Sequence, residues 1–250
     1  MKDRRLYDSI SGTYRSTRCE EARVARHIHA ALGNADRVVN VGAGTGNYEP
    51  RDRFVVAVEP SAAMVSARSR SASAVQGVAE ALPLPAASFD VAMASLTLHH
   101  WSDLRKGLME MRRVAPRQVI LMFDPAEISR FWALGYWPEA LGLPSEADAP
   151  GPGQVAEVLD VTEVRTVPIP IDCTDGFGAA YWGRPKAYLD PDVQQGMSWL
   201  AQLPADNLAK GASRLAEDLQ SGAWEERHGH LLTRTEFDVG FRVVMAGPRT

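Results

Sequence analysis

Val38-Val39-Asn40-Val41-Gly42-Ala43-Gly44-Thr45-Gly46-Asn47 is the stretch on which the reading of this chain turns. An apolar run ends in glycines at every second position. A second apolar run, Phe54-Val55-Val56-Ala57-Val58, follows and ends in Glu59. The pattern predicts a buried strand, a loop whose backbone can touch a ligand, and an acid at the tip of the next strand. Only a residue without Cβ lets the main chain turn sharply and press against a bulky ligand. A carboxylate accepts hydrogen bonds from two neighbouring hydroxyls, which suits Glu59 to a ribose. In open α/β sheets such sites lie at the carboxyl ends of the strands. The stretch reads as a nucleoside-binding corner.

Spacing bears on which nucleoside. A dinucleotide-binding loop has G-x-G-x-x-G, which counted from Gly42 needs a glycine at position 47, where the chain has Asn47. The spacing is instead G-x-G-x-G. That departure tells against a nicotinamide-dependent oxidoreductase, which is kept as the rival reading.

Outward from this stretch, the pattern repeats. Apolar segments at Arg37–Val41, Phe54–Glu59, Ala74–Val78, Val91–Ser95 and Gln118–Phe123 alternate with helical ones, the βαβ signature of a parallel sheet. Their Val-rich, weakly alternating character fits strands covered on both faces. Ser61 caps a predicted helix Ala62–Arg70, and Ser102 or Asp103 caps Leu104–Val114, where Arg112 and Arg113 suit the C-terminal dipole. Upstream, Val24, Ile28 and Leu32 form an amphipathic stripe closed by Gly33, behind a Tyr-rich helical segment with Tyr7 and Tyr14. Downstream, Glu127–Leu143 is aromatic, Pro144–Gly153 is a breaker, Gly178–Gly222 is mostly helical, and Val161–Pro170 and Phe237–Ala246 are two more strands. Glu225–His230 reads as a solvated turn before the last of them.

Composition excludes several classes. With 250 residues, 45% of them hydrophobic, the chain can bury one sizeable core. A net charge of −4 supplies no field that would draw it to nucleic acid or anionic lipid. Cys19 and Cys173 lie far apart and outside any C-x-x-C, so neither a disulfide scaffold nor a zinc site is indicated. The charged N-terminus leads into no apolar signal region and no run is long enough for a membrane span, which predicts a cytoplasmic protein.

The G-x-G-x-G loop with its downstream acid resembles motif I of the class I S-adenosylmethionine (SAM) methyltransferases. The likeness continues through Ala79-Glu80-Ala81-Leu82-Pro83-Leu84-Pro85 with Ser88-Phe89-Asp90, through Ser95-Leu96-Thr97-Leu98-His99-His100-Trp101, and through Arg112-Arg113-Val114-Ala115-Pro116. The nearest branch is the ubiquinone/menaquinone-biosynthesis-like group called methyltransferase type 11. The resemblance implies a Rossmann-like α/β fold. Its sheet is seven-stranded and mostly parallel with an antiparallel last strand, helices cover both faces, and a small helical cap is added. It implies one domain, with residues 1–33 as an N-terminal helical lid, 34–125 as the cofactor-binding half and 126–250 as cap elements and last strands.

It further implies a site. SAM, leaving as S-adenosylhomocysteine, is expected on Asn40, Gly42, Ala43, Gly44 and Gly46, on Glu59 and Pro60, on Ala79 and Glu80, and on Ser95 and Leu96. Tyr14 and Arg18 are expected to close over it. Two positions depart from the family pattern. Asn40 stands where an Asp is usual, accepting a hydrogen bond but bringing no charge, and Val78 stands where many relatives have an Asp near the adenine amine. Those departures motivate a second rival, a non-catalytic SAM-fold module that binds or regulates.

Methyl transfer from a sulfonium is an in-line displacement, so no nucleophilic triad or metal is required. A general base matters only for a poorly ionised acceptor. His99 and His100 are candidates for that role, set against the plainer reading that they shape the pocket wall. Trp132, Tyr136, Tyr181, Trp182 and again His99 are candidates to hold a planar or apolar acceptor, set against the plainer reading that aromatics at helical spacing form core. No metal site is expected. The partner expected is a small organic molecule, with no nucleic acid and no membrane.

Overall fold

The computed structural model of the chain describes residues 19–68 and 73–248. Tyr7, Tyr14 and Arg18 lie outside the described residues.

Seven strands form the main sheet in the order β3-β2-β1-β4-β5-β9-β6. These are β1 (Arg37–Val41), β2 (Phe54–Glu59), β3 (Ser73–Gln76), β4 (Val91–Ser95), β5 (Arg117–Phe123), β6 (Val161–Thr166) and β9 (Phe241–Ala246). Strands β1 to β5 pair parallel, and β9 enters antiparallel between β5 and β6. The chain order thus reverses beside β1, between β2 and β4, and the glycine loop leaves β1 at that switch point. A two-residue pair, β7 (Ile169–Pro170) with β8 (Glu236–Phe237), stands apart.

The apolar runs are explained by burial on both faces. Val38, Val91, Met93, Val119 and Leu121 face the helix Ala22–Leu32 and the aromatic cap. Val39, Val41, Ala92, Ala94, Ile120 and Met122 face the helix Leu104–Val114. Alternate residues of a strand point to opposite faces, and here both faces are dry, so alternation gives no signal. The helix stripe is as expected, with Val24, Ile28 and Leu32 buried. Asp103, and not Ser102, caps Leu104–Val114 by accepting from the Lys106 amide at 2.9 Å.

Several expected boundaries shift for local reasons. The helix after β2 runs Ala62–Ala67 and stops before Arg68, whose backbone is extended (φ −72°, ψ 159°). Strand β3 begins at Ser73 and ends at Gln76, before Gly77, where a Cβ would lie 2.9 Å from Pro83. The expected strand Val161–Pro170 splits into β6 and β7. The expected strand Phe237–Ala246 splits at Gly240, which has φ +96° and leaves no room for a side chain against Ile128. Both Val243 and Val244 are buried, so this strand has no solvent face. The stretch Glu225–His230 is mostly helix, within Ala223–His228, and not a turn.

Candidate functional site

The glycine loop closes a cavity of about 460 Å³ at the carboxyl ends of β1, β2 and β4. Gly42 and Ala43 both donate to the Val58 carbonyl, at 2.8 and 3.2 Å, which folds the loop back over β2. Gly42, Gly44 and Gly46 all have positive φ (70°, 52° and 99°), a region that favours glycine. Their missing side chains answer to different neighbours. A Cβ on Gly42 would sit 2.2 Å from the Thr97 hydroxyl, and one on Gly46 would press on Arg68 and Glu49 at 3.1 Å. A Cβ on Gly44 would meet nothing within 4 Å. Of the three, only Gly44 has open space where a Cβ would stand, while Gly42 and Gly46 are packed against the loop's own neighbours.

Glu59 is buried and already engaged: its carboxylate accepts from the Gly44 amide at 2.8 Å and from the Ser61 amide at 2.9 Å. Each carboxylate oxygen has a second lone pair, so holding the loop leaves acceptor capacity toward the cavity that Glu59 lines. Arg68 works from the other side. Its guanidinium donates to the Gly44 carbonyl at 3.1 Å and pairs with Glu49. Glu49 in turn accepts from the Asn40 amide nitrogen at 2.8 Å. Thus the charge missing at Asn40 stands on Glu49, nine residues along the chain.

Of the residues expected at the site, Asn40, Gly42, Ala43, Gly44, Glu59, Pro60, Ala79, Glu80, Ser95, Leu96 and His100 line the cavity. Gly46 is turned into the Arg68–Glu49 pair instead. Glu80 lines the wall but is occupied with the chain ahead of the next helix, accepting from the Ser102 amide at 2.6 Å and its hydroxyl at 2.8 Å. Burial would push its carboxyl up, but these donors outweigh that and hold it below the usual range. Sequence reasoning missed Met64, Tyr48, Thr97 and Ser61, which also line the cavity. Tyr48 had a signal, since aromatic residues close to a glycine loop are candidates for its wall. Its hydroxyl donates to the buried Asp175 at 2.5 Å, tying the loop to the cap.

A second cavity, of about 110 Å³, adjoins the first across Leu96 and His100. His99 lines only this one, with its ring 5.3 Å from that of Phe123. Leu96 holds a left-handed backbone (φ 53°), a strained conformation for a branched side chain and one that sits between the two spaces. Trp132, Tyr136, Tyr181 and Trp182 line neither cavity. Trp132 and Trp182 are buried and give their indole N–H groups to backbone carbonyls, and Tyr136 bonds to Asp218 at 2.7 Å. Tyr181 packs on Tyr188 and beneath the Arg184 guanidinium, 4.4 Å from its ring. These four belong to, or pack against, the hydrophobic core that covers one face of the sheet. Among the described residues no cluster of His, Cys, Asp and Glu could hold a metal ion, and no helix is long and apolar enough to cross a membrane.

A family model described as a methyltransferase domain matches residues 39–123, the sheet half that carries this cavity. A solved structure of a putative methyltransferase from an antibiotic biosynthesis pathway of Anabaena variabilis is 31% identical, covers 93% of this chain and 100% of its own, and superposes with a TM-score of 0.84. The chain belongs to the SAM-dependent methyltransferases. Two curated relatives match part of this methyltransferase. A malonyl-[acyl-carrier protein] O-methyltransferase of Erwinia pyrifoliae is 40% identical over 93 residues, and an uncharacterized methyltransferase, YcgJ, of Bacillus subtilis is 34% identical over 90. Those matches span 34% and 31% of this chain and 36% of each relative's length.

The cavity fits the family's cofactor on its own chemistry. Asn40 Oδ1 and Ser95 Oγ are buried, line the cavity and have no hydrogen-bond partner among the described residues. Unpartnered buried polar atoms are costly, on the order of 1–3 kcal/mol each, and a ligand bearing an ammonium and hydroxyls relieves that cost. Met64 and Val78 supply apolar walls for a base. SAM carries all three kinds of group.

Proposed function

We propose that this methyltransferase moves a methyl group from SAM to a small organic acceptor bound in the second cavity. The sulfonium of the bound cofactor supplies an electrophilic methyl. The chain's own work is to bind, aim and exclude water. Asn40 Oδ1 is suited to accept from the cofactor ammonium and Glu59 from the ribose hydroxyls, while Met64 and Val78 sandwich the base. Leu96 and His100 form the shared wall through which donor and acceptor meet. The observation that carries this reading is that shared wall, with an apolar, aromatic space behind it and two unpartnered oxygens in front.

Calorimetric titration with SAM, S-adenosylhomocysteine and NADPH tests the cofactor. Nicotinamide binding without SAM binding returns the chain to the oxidoreductase reading. Gly44→Val tests the loop. Because Gly44 lines the cavity with φ +52°, a branched side chain there should abolish the rise in melting temperature that S-adenosylhomocysteine gives, at a stability cost of about 1–3 kcal/mol from strain. Gly33→Val, at φ +60° on a helix end away from the cavity, bears similar strain and keeps the rise. A rise that survives in both would mean that the loop does not hold the cofactor. Labelled-methyl incorporation into a library of small metabolites then identifies the acceptor.

A further inference from the structure

We propose that Glu146 makes the second cavity a site for an amine: a small acceptor with an aromatic or other apolar body and one ammonium group, which the Glu146 carboxylate anchors. The inference rests on the methyl-transfer reading only in calling this ligand the acceptor.

Glu146 stands on the short helix Pro144–Ala147, which packs against the Leu98–His100 turn between the two cavities. It lines the second cavity together with five aromatic rings from elsewhere in the chain: Phe123, Phe131, Phe177, Trp199 and Phe241. Phe177 and Phe241 lie 4.5 Å apart, and Gly178 has no side chain because the Trp199 indole fills that space, 2.1 Å from where a Cβ would be. Among the described residues no lysine or arginine lines the cavity. An anionic acceptor therefore meets a carboxylate and ring faces of negative potential. A cation meets one counter-charge and several such faces, each attractive to an ammonium. The ring walls also suit an apolar body more than a sugar or a phosphate.

Burial pushes the Glu146 carboxyl up to about 7. The other charged or titratable groups on the elements that line the cavity are His99 and His100, which line it with Glu146, and Arg117, Glu127, Glu139 and Arg242, which do not; Asp148 ends the helix that carries Glu146. A carboxyl poised there has two uses. Ionised, it holds the ammonium, and it can then take one proton from that nitrogen, leaving a neutral amine with a free lone pair and a neutral carboxylic acid. No other co-reactant is needed for that proton to move.

The test uses the full chain saturated with S-adenosylhomocysteine and three probes of one shape: benzylamine, benzyl alcohol and benzoate. Calorimetry should find benzylamine the tightest and benzoate undetectable. Benzylamine stays an ammonium from pH 6 to 8, whereas a carboxyl titrating near 7 is mostly protonated at the lower end and mostly ionised at the upper. Its affinity should therefore rise about tenfold over that range, as the competent fraction rises. Glu146→Gln should flatten that dependence and weaken binding at pH 8 at least tenfold, and Glu139→Gln should change neither. Equal affinity for benzylamine and benzoate, a pH-independent affinity, or binding unaffected by Glu146→Gln overturns the proposal. The pH series on the unsubstituted chain decides alone if the variant fails to fold. Benzylamine binding without S-adenosylhomocysteine binding sinks the methyl-transfer reading and leaves the amine site. The converse result sinks the amine site alone.

Discussion

Gly44 and Gly211 are both glycines that resist a larger side chain, for opposite reasons. Gly44 lines the first cavity and a Cβ on it would meet nothing within 4 Å, whereas one on Gly211 would strike the Trp137 indole at 2.1 Å. The loop half of the chain keeps room for a molecule that arrives from outside. The cap keeps room for its own tryptophans. The same residue type, in a chain read as letters, thus reports a ligand in one region and packing in the other, and only the neighbour that fills the space distinguishes them.

The contrast is broken most forcefully at Trp182. Its side chain is fully buried, its indole N–H donates to Ile169 at 2.9 Å, and its carbonyl receives the Trp132 indole. Deleting a buried tryptophan side chain typically costs about 3–5 kcal/mol. Trp182→Ala should lower the urea midpoint accordingly with an unchanged slope, and leave the affinity for S-adenosylhomocysteine intact. A stable variant that loses only acceptor binding would make the cap aromatics a site after all.

Glu146 sharpens the contrast from within the cap. Its carboxyl sits near 7 in the fold against 4.5 for an unperturbed glutamate. The folded chain therefore binds more protons than the unfolded chain between those values, and stability falls as pH rises through that window. Below about 4.5 both states are protonated and nothing is lost. Glu146→Gln should accordingly match the parent at pH 4 and exceed it at pH 8 by on the order of 2–3 kcal/mol, allowing for its partial exposure. Melting curves across pH decide it.

The two halves were not equally legible in the sequence. In the sheet half, β1, β2 and β4 fall where the apolar runs lie, and most of the expected contacts line one cavity. That follows because glycine spacing and a strand-tip acid constrain the backbone directly. Arg68 and Glu49 escaped notice since their pairing spans 19 residues and a reversal of the chain. In the cap, Trp132 and Trp182 gave the same signal as ligand-stacking aromatics, because hydropathy does not say whether a ring meets a ligand or another ring. Glu146 gave none, as a single acid in a Pro/Gly segment looks solvated until five rings close around it.

Glu59 tests whether the loop half is as ligand-directed as Gly44 implies. Sequence reasoning makes it a ribose acceptor at a strand tip. Its bonds to the Gly44 and Ser61 amides give it a second task. Glu59→Ala should weaken S-adenosylhomocysteine binding by about 2 kcal/mol, the scale of hydrogen bonds to a charged acceptor. It should also speed hydrogen exchange at the Gly44 amide with no cofactor present. Unchanged exchange would mean that the carboxylate serves the ligand alone, and unchanged affinity that it serves only the loop.

The smallest effect expected is also the one where resemblance and geometry disagree on sign. The family's usual acid at position 40 suggests that Asn40→Asp should improve cofactor binding by adding charge beside the ammonium. In the fold, Asn40 donates its amide to Glu49 at 2.8 Å, and Arg68 neutralises the far side of that carboxylate. An aspartate cannot donate that bond unless it is protonated, so two carboxylates would face each other across a buried contact. Like charges so placed hold one proton between them to higher pH. Each unit by which that proton's release is raised in the fold costs about 1.4 kcal/mol once both groups must ionise. That loss is absent at low pH, where the proton is retained in both states, and grows as pH rises through the raised value. Asn40→Asp should therefore melt lower than the parent at pH 8, converge with it toward pH 4, and gain no affinity for S-adenosylhomocysteine. Asn40→Asp combined with Glu49→Gln restores one donor and one charge, exchanged between the two positions, and should recover most of the stability. Tighter cofactor binding by the single variant would show that the charge on Glu49 does not stand in for the missing acid.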